Sequence, residues 1–200
     1  MKIVIATRNA NKFAQIQAIY QNVPIELLSL DACDVPALEN PGLSFVEKAL
    51  IKARHAAKYS GLPSIADDTG LAVDALGGAP GIHSSHYAGF GAPIIEHQQK
   101  LLKAIASLEG DQRSARFYCA IAFVLHAQDP IPIICQAEWE GVLLKAPRGT
   151  GGFGYDSLFY LSDHQCTIAE LSDEIRNQFS PRARALKELA THLPSLELIE

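Results

Sequence analysis

"ARFYCAIAFVLHAQDPIPIICQAEWEGVLL" spans Ala115 to Leu144. Two β-rich runs, Ala115–His126 and Ile131–Leu144, meet through the Pro-containing link "AQDPIP", and the whole reads as a hairpin. Parallel strands need long crossovers, so strands this close in sequence rule out a purely parallel sheet. Outward from the hairpin the pattern changes. Lys2–Ala6, "KIVIA", reads as a short buried strand, and Phe13, Ile16 and Tyr20 then recur at helical spacing. Leu27–Leu30 reads as a second strand. "GLSFVEKALIKARHAAKYSG" has a helical period, with Ser44 as N-cap and Gly61 as stop. Ser64–Ala66 and Leu71–Leu76 read as strand fragments, Gly77–Gly81 as a turn and Ile94–Leu108 as a helix. On the C-terminal side, "APRGTGGFGYDSLFYL" is a Gly-rich loop entering a strand, and "TIAEL" and "RARALKELATHL" are helical. Some strands alternate with helices and others are sequence neighbours. This order predicts an α/β protein with a mixed sheet.

The chain has 200 residues, enough for one large domain or two small lobes sharing a core. Hydrophobic residues make up 48% and charged residues 20%, as in ordinary globular enzymes. A net charge of −5 argues against nucleic acid as a partner, and an anionic ligand would need a local basic pocket. Cys33, Cys119, Cys135 and Cys166 form no C-x-x-C pair and no zinc spacing, which suits a reducing compartment. The apolar run in "MKIVIATRNANK" is too short for a signal peptide or a membrane span. The expected location is the cytoplasm, with no membrane partner.

Four stretches carry candidate chemistry. "ATRNANK", Ala6–Lys12, joins a strand to a helix, where backbone N–H groups favour phosphate. Thr7 and Asn9 add hydrogen-bond donors and Lys12 adds a charge that suits phosphate. A plain N-capped turn explains the same residues. Asp67 and Asp68 lie between two apolar runs. Either they mark a turn, or one of them serves a hard cation such as Mg²⁺. On extended backbone the two would point to opposite faces. In "GTGGFGYDSLF", Phe153 or Tyr155 offers a stacking face and Asp156 an acceptor, although Gly-rich turns over core aromatics look alike. In "SDEIRNQFSPRARAL", Ser180 caps a helix that begins at Pro181, so Arg182 falls in the first turn. A cation there asks for an anionic partner, the alternative being a solvated surface charge. His83 and His86 lack a third ligand at zinc spacing, and Trp139 reads as core.

Taken in order, "ATRNANK", "LENPGLSFVEKALIKA", "ADDTGLAVDALGGAPGIHS", "GTGGFGYDSLF" and "AELSDEIRNQFSPRARAL" resemble the inosine triphosphate pyrophosphatase family, the XTP/dITP diphosphatases. The resemblance covers nearly the whole chain. It implies a long mixed sheet with flanking helices in two lobes around an active-site cleft, forming a single pyrophosphatase domain over residues 1–200. It also implies a homodimer that uses Mg²⁺ to hydrolyse dITP, ITP and XTP to the monophosphate and pyrophosphate. By position, Thr7, Arg8, Asn9, Ala10, Asn11 and Lys12 would hold the triphosphate. Asp68 would accept the proton and bind metal, Glu39 would be the second metal carboxylate, and Lys52 would face phosphate. Thr69 would take the place of the family's usual serine. Phe153, Gly154, Tyr155 and Asp156 would line the base pocket, and Arg176 and Arg182 would contact substrate. The sequence departs from the pattern at Arg8 (often Gly), His86 (where an arginine is expected), Arg176 (usually Lys) and Pro181 (commonly His). The His86 and Pro181 changes bear on purine selectivity more than on the reaction.

Overall fold

The computed structural model describes residues 1–39 and 42–193. Asn40 and Pro41 of the Leu38–Ala53 stretch lie outside the described residues. The strands are β1 (Lys2–Ile5), β2 (Glu26–Ser29), β3 (Ser64–Val73), β4 (Ser114–Val124), β5 (Ile133–Leu143), β6 (Phe159–Leu161) and β7 (Cys166–Thr167). They form one sheet in the order β2-β1-β3-β4-β5-β6-β7. β1 pairs in parallel with both β2 and β3, whereas the β5–β6 and β6–β7 pairs are antiparallel. The sheet is mixed, as the hairpin required. The helices are α1 (Ala10–Tyr20), α2 (Phe45–Ser60), α3 (Ile94–Ala104), α4 (Asp173–Phe179) and α5 (Pro181–His192). Among the described residues no helix is long and apolar enough to cross a membrane.

The chain divides into two compact units. The first comprises Met1–Asp68, Cys119–Ala137 and the chain from Pro181 onward. Its core joins Ile3 and Ile5 of β1, Ile16 and Tyr20 of α1, Ile65 of β3, and Leu186 and Leu189 of α5. Tyr20 is buried there, and its hydroxyl donates to the Leu186 carbonyl (2.9 Å). α2 buries a face of small residues, Ala49, Ala53, Ala56 and Ala57, and packs against β1. The expected caps are present. Ser44 accepts from the Glu47 N–H, and Gly61 closes the helix in the left-handed region (φ 69°). The second unit comprises Thr69–Tyr118 and Glu138–Ser180, around Leu71, Leu101, Ile105, Leu143, Leu158 and Phe159. Trp139 packs half-buried against this core.

Four local expectations need correction. The two strand fragments around the aspartates are one ten-residue strand, β3, which runs through Asp67 and Asp68. The aspartates are therefore not a turn. The helix from Ile94 stops at Ala104 instead of reaching Leu108. Beyond it, the Ile105 carbonyl accepts from the Leu108 N–H (3.1 Å) and from the buried Arg113 guanidinium (2.9 Å), which also takes the Leu108 carbonyl (3.2 Å). "TIAEL" is a 3₁₀ turn at Ile168–Glu170, because Thr167 is held in β7 opposite Tyr160. Asp173–Phe179, assigned to no element from the sequence, forms α4, whose start signal is Ser172 as N-cap with Asp173 and Glu174 in the first turn.

Candidate active site

β3 places consecutive side chains on opposite faces. Ser64 and Asp68 look toward α2, where the Ser64 hydroxyl donates to the Ala53 carbonyl and Lys52 meets Asp68. Ile65 and Asp67 look the other way, toward α1 and α5. The adjacent carboxylates are thus delivered to two separate cation sets.

Asp67 is 3% exposed. Its Oδ2 accepts from Lys12 Nζ at 2.7 Å and from Arg182 Nε at 3.1 Å. Arg182 is itself buried, and its Nη1 donates to Gln15 Oε1 at 2.9 Å. Burial alone would push the Asp67 carboxyl up. Lys12 and Arg182, with Lys52 nearby, outweigh that cost and hold it well below the usual carboxylate range. Arg182 is therefore not a solvated surface charge. The anion it asked for in the first turn of α5 is Asp67.

Lys52 binds Asp68 Oδ1 and also donates to the Asp67 carbonyl at 3.0 Å. Among the described residues, the other Asp68 oxygen, Oδ2, has no hydrogen-bond partner in the protein, although Asp68 is only 8% exposed. A nearly buried carboxylate oxygen with a vacant lone pair fits a hard cation or an incoming proton. Glu39, the other expected metal carboxylate, is exposed.

The Thr7–Lys12 loop is more self-contained than its sequence suggested. Asn9 Oδ1 caps α1 by accepting from the N–H groups of Asn11 (3.0 Å) and Lys12 (3.1 Å). Thr7 Oγ1 accepts from Asn9 N–H (3.2 Å). Thr7 and Asn9 here act as acceptors toward backbone. Ala10 opens α1 at an exposed position. Arg8 is tied to Asp31 (2.7 Å) and to the Val35 carbonyl (2.7 Å).

In the second unit, Asp156 Oδ2 accepts from Phe153 N–H at 2.9 Å and fixes the Gly-rich loop. Gly152 has φ 72°, and a Cβ there would come within 2.2 Å of that oxygen, so only glycine serves. Gln98, which sequence reasoning missed, donates to the Gly154 carbonyl (2.6 Å) from α3. Nothing in its local pattern marks it. Tyr155 is buried and donates to the Ser84 carbonyl (2.9 Å), and burial pushes its phenol up, so it stays a donor. Phe153, in contrast, is 70% exposed and presents the open aromatic surface of the loop. Arg176 is turned inward to the carbonyls of Leu171 (2.8 Å) and Ile168 (3.4 Å) and to Asp173, where it braces the chain beside Gly151. Thr69 is half-buried on β3. His86 stacks on Phe90 (4.5 Å between centroids) and lies 3.1 Å from His83.

A mixed-sheet α/β protein with a carboxylate pair on a central strand, each carboxylate held by cations from flanking helices, is the class these observations define. The Ham1 family model matches residues 3–192, and the chain belongs to the Ham1 family. It is 44% identical over 199 residues to the dITP/XTP pyrophosphatase of Coxiella burnetii, covering 100% of both chains. To the dITP/XTP pyrophosphatase of Shigella flexneri it is 46% identical over 94% of this chain and 95% of that one. Among solved structures, a HAM1 protein from Coxiella burnetii superposes with a TM-score of 0.93 at 45% identity, covering 98% of this chain and 99% of that one. The Staphylococcus aureus Ham1 protein gives 0.88 at 31% identity with the same coverage. The family read from the five motifs is borne out.

Proposed function

We propose that the chain hydrolyses dITP, ITP and XTP to the nucleoside monophosphate and pyrophosphate, so removing deaminated purines from the nucleotide pool. It does so with Mg²⁺, as a homodimer in the cytoplasm. The observation that carries this reading is the match along the full length of both chains to the Coxiella burnetii dITP/XTP pyrophosphatase.

The chain's own residues supply a coherent path. Among the described residues of the centre, three cations (Lys12, Lys52 and Arg182) face two carboxylates (Asp67 and Asp68), which favours a polyanion. Asp67, held ionised by Lys12 and the buried Arg182, is a poor proton acceptor and serves as their anchor. Asp68, with Oδ2 available, accepts the proton of the attacking water, directly or through a second water. The water oxygen bonds to the α-phosphorus, the bond from that phosphorus to the bridging oxygen breaks, and pyrophosphate leaves with the electron pair. Lys12 and Lys52 offset the charge that builds on the phosphate oxygens. Asp68 and Glu39 would hold Mg²⁺, which when bound would supply Lewis-acid polarisation of the phosphoryl oxygens. Phe153 stacks on the purine, while Asp156, Gly154 and Tyr155 shape the loop that presents it.

Product analysis tests the reaction. Incubation with dITP and Mg²⁺ is expected to give dIMP and pyrophosphate in equal amounts, and a chelator is expected to stop it. Release of inorganic phosphate with dIDP would place the attack at the γ-phosphorus and contradict the path. Phe153→Ala is expected to raise KM for dITP by about 5- to 150-fold, the equivalent of one lost base stack, with kcat changed much less. Steady-state kinetics on the two proteins measures this, and an unchanged KM would remove Phe153 from the base site.

A further inference from the structure

Cys135, Glu188 and His192 lie outside the carboxylate centre. Cys135 belongs to β5 and is 1% exposed, while Glu188 and His192 are exposed on α5. Their four-residue spacing puts the glutamate and the histidine on one face of the helix. One ligand atom from each residue (Cys Sγ, a Glu carboxylate oxygen and an imidazole nitrogen) lies within 4.8 Å of the other two. Leu186 and Leu189 of α5 pack in the same apolar core as Cys135, which holds the helix beside the strand. Ligand atoms bound at zinc distances of about 2.0–2.3 Å in a tetrahedral shell are about 3.5 Å apart, so small side-chain rotations close this set around one ion.

We propose that Cys135, Glu188 and His192 form a second metal site, for a thiophilic divalent transition ion such as Zn²⁺, with water completing the shell. A thiolate and an imidazole together select such ions over Mg²⁺, which takes oxygen ligands. The ion ties β5 to the C-terminal half of α5, the helix whose first turn carries Arg182. Its bound state stabilises the fold by linkage.

The test is titration of the purified full-length protein with Co²⁺ alone, followed by absorption. One equivalent is expected to give a near-ultraviolet thiolate-to-cobalt charge-transfer band. Co²⁺ at Asp68 has no sulfur ligand and gives no such band, so this outcome is independent of the Mg²⁺ reading. Cys135→Ser is expected to abolish the band, and His192→Ala to weaken Co²⁺ binding by at least about tenfold. Zn²⁺ at about a hundred times its Kd is expected to raise Tm by about 5–10 °C, and His192→Ala, at an exposed position that does not threaten folding, is expected to lose that shift. Absence of the band in the wild-type protein, its persistence in Cys135→Ser, or a Zn²⁺-induced Tm shift that survives His192→Ala would overturn the site.

Discussion

Asp68→Asn is expected to lower kcat for dITP by about a thousandfold to ten-thousandfold, the full range that a positioned base contributes at its upper end. The amide keeps the shape of the carboxylate, and its oxygen still accepts from Lys52, which also retains the Asp67 carbonyl at 3.0 Å. The fold is therefore expected to survive, with Tm changed by no more than about 4 °C. What disappears is the basic oxygen, Oδ2, that has no partner within the described protein. Turnover with Mg²⁺, measured beside thermal unfolding of the same preparation, separates the two effects. A variant with near-normal turnover would remove Asp68 from the chemistry.

Asp67→Asn is expected to act through stability. Removing the charge takes the facing carboxylate from Lys12, whose side chain is 23% exposed, and from Arg182, whose side chain is 7% exposed. Breaking one partner of a buried ion pair costs about 3–5 kcal/mol, which for a chain of this size lowers Tm by roughly 10 °C. The pH dependence follows from the same contacts. The folded protein holds the Asp67 carboxyl below its unfolded value, so the folded state binds fewer protons across the interval between the two. This stabilisation is fully present above the unfolded value of about 4 and is lost as pH falls below it toward the folded value. Urea midpoints at neutral pH and through the acid range are expected to fall more steeply for the wild-type protein than for Asp67→Asn. Parallel acid limbs would contradict the assignment.

The elements that were legible in the sequence are those whose signals are local. α2 announces its cap at Ser44 and its stop at Gly61, and the hairpin needs only two apolar runs and a short link. β3 was not legible as one strand, because aspartate is depleted in strands and two in succession suggest a turn. The strand continues because cations distant in sequence neutralise each carboxylate. Lys12 is 55 residues from Asp67, Arg182 is 115, and Lys52 is 16 from Asp68. For the same reason Arg182 reads locally as a surface charge and proves to be buried. The motif order identified the family, whereas the hidden partners Gln15 and Gln98 carry no pattern of their own. Tyr155 and Arg176 sit where the family pattern puts substrate contacts; in the structure Tyr155 donates to the Ser84 carbonyl, and Arg176 binds the Leu171 and Ile168 carbonyls and Asp173. Phe153 is the exposed ring of the same Gly-rich loop.

Pyrophosphate release from a panel of dITP, XTP, dATP, dGTP and dUTP, each with and without Mg²⁺, tests the reaction and the base site together. Mg²⁺-dependent release is expected from dITP and XTP, with little from dATP, dGTP and dUTP. Equal release from every nucleotide would mean intact chemistry without a selective base site, tracing to His86 and Pro181. No release from any of them would contradict the proposed reaction itself.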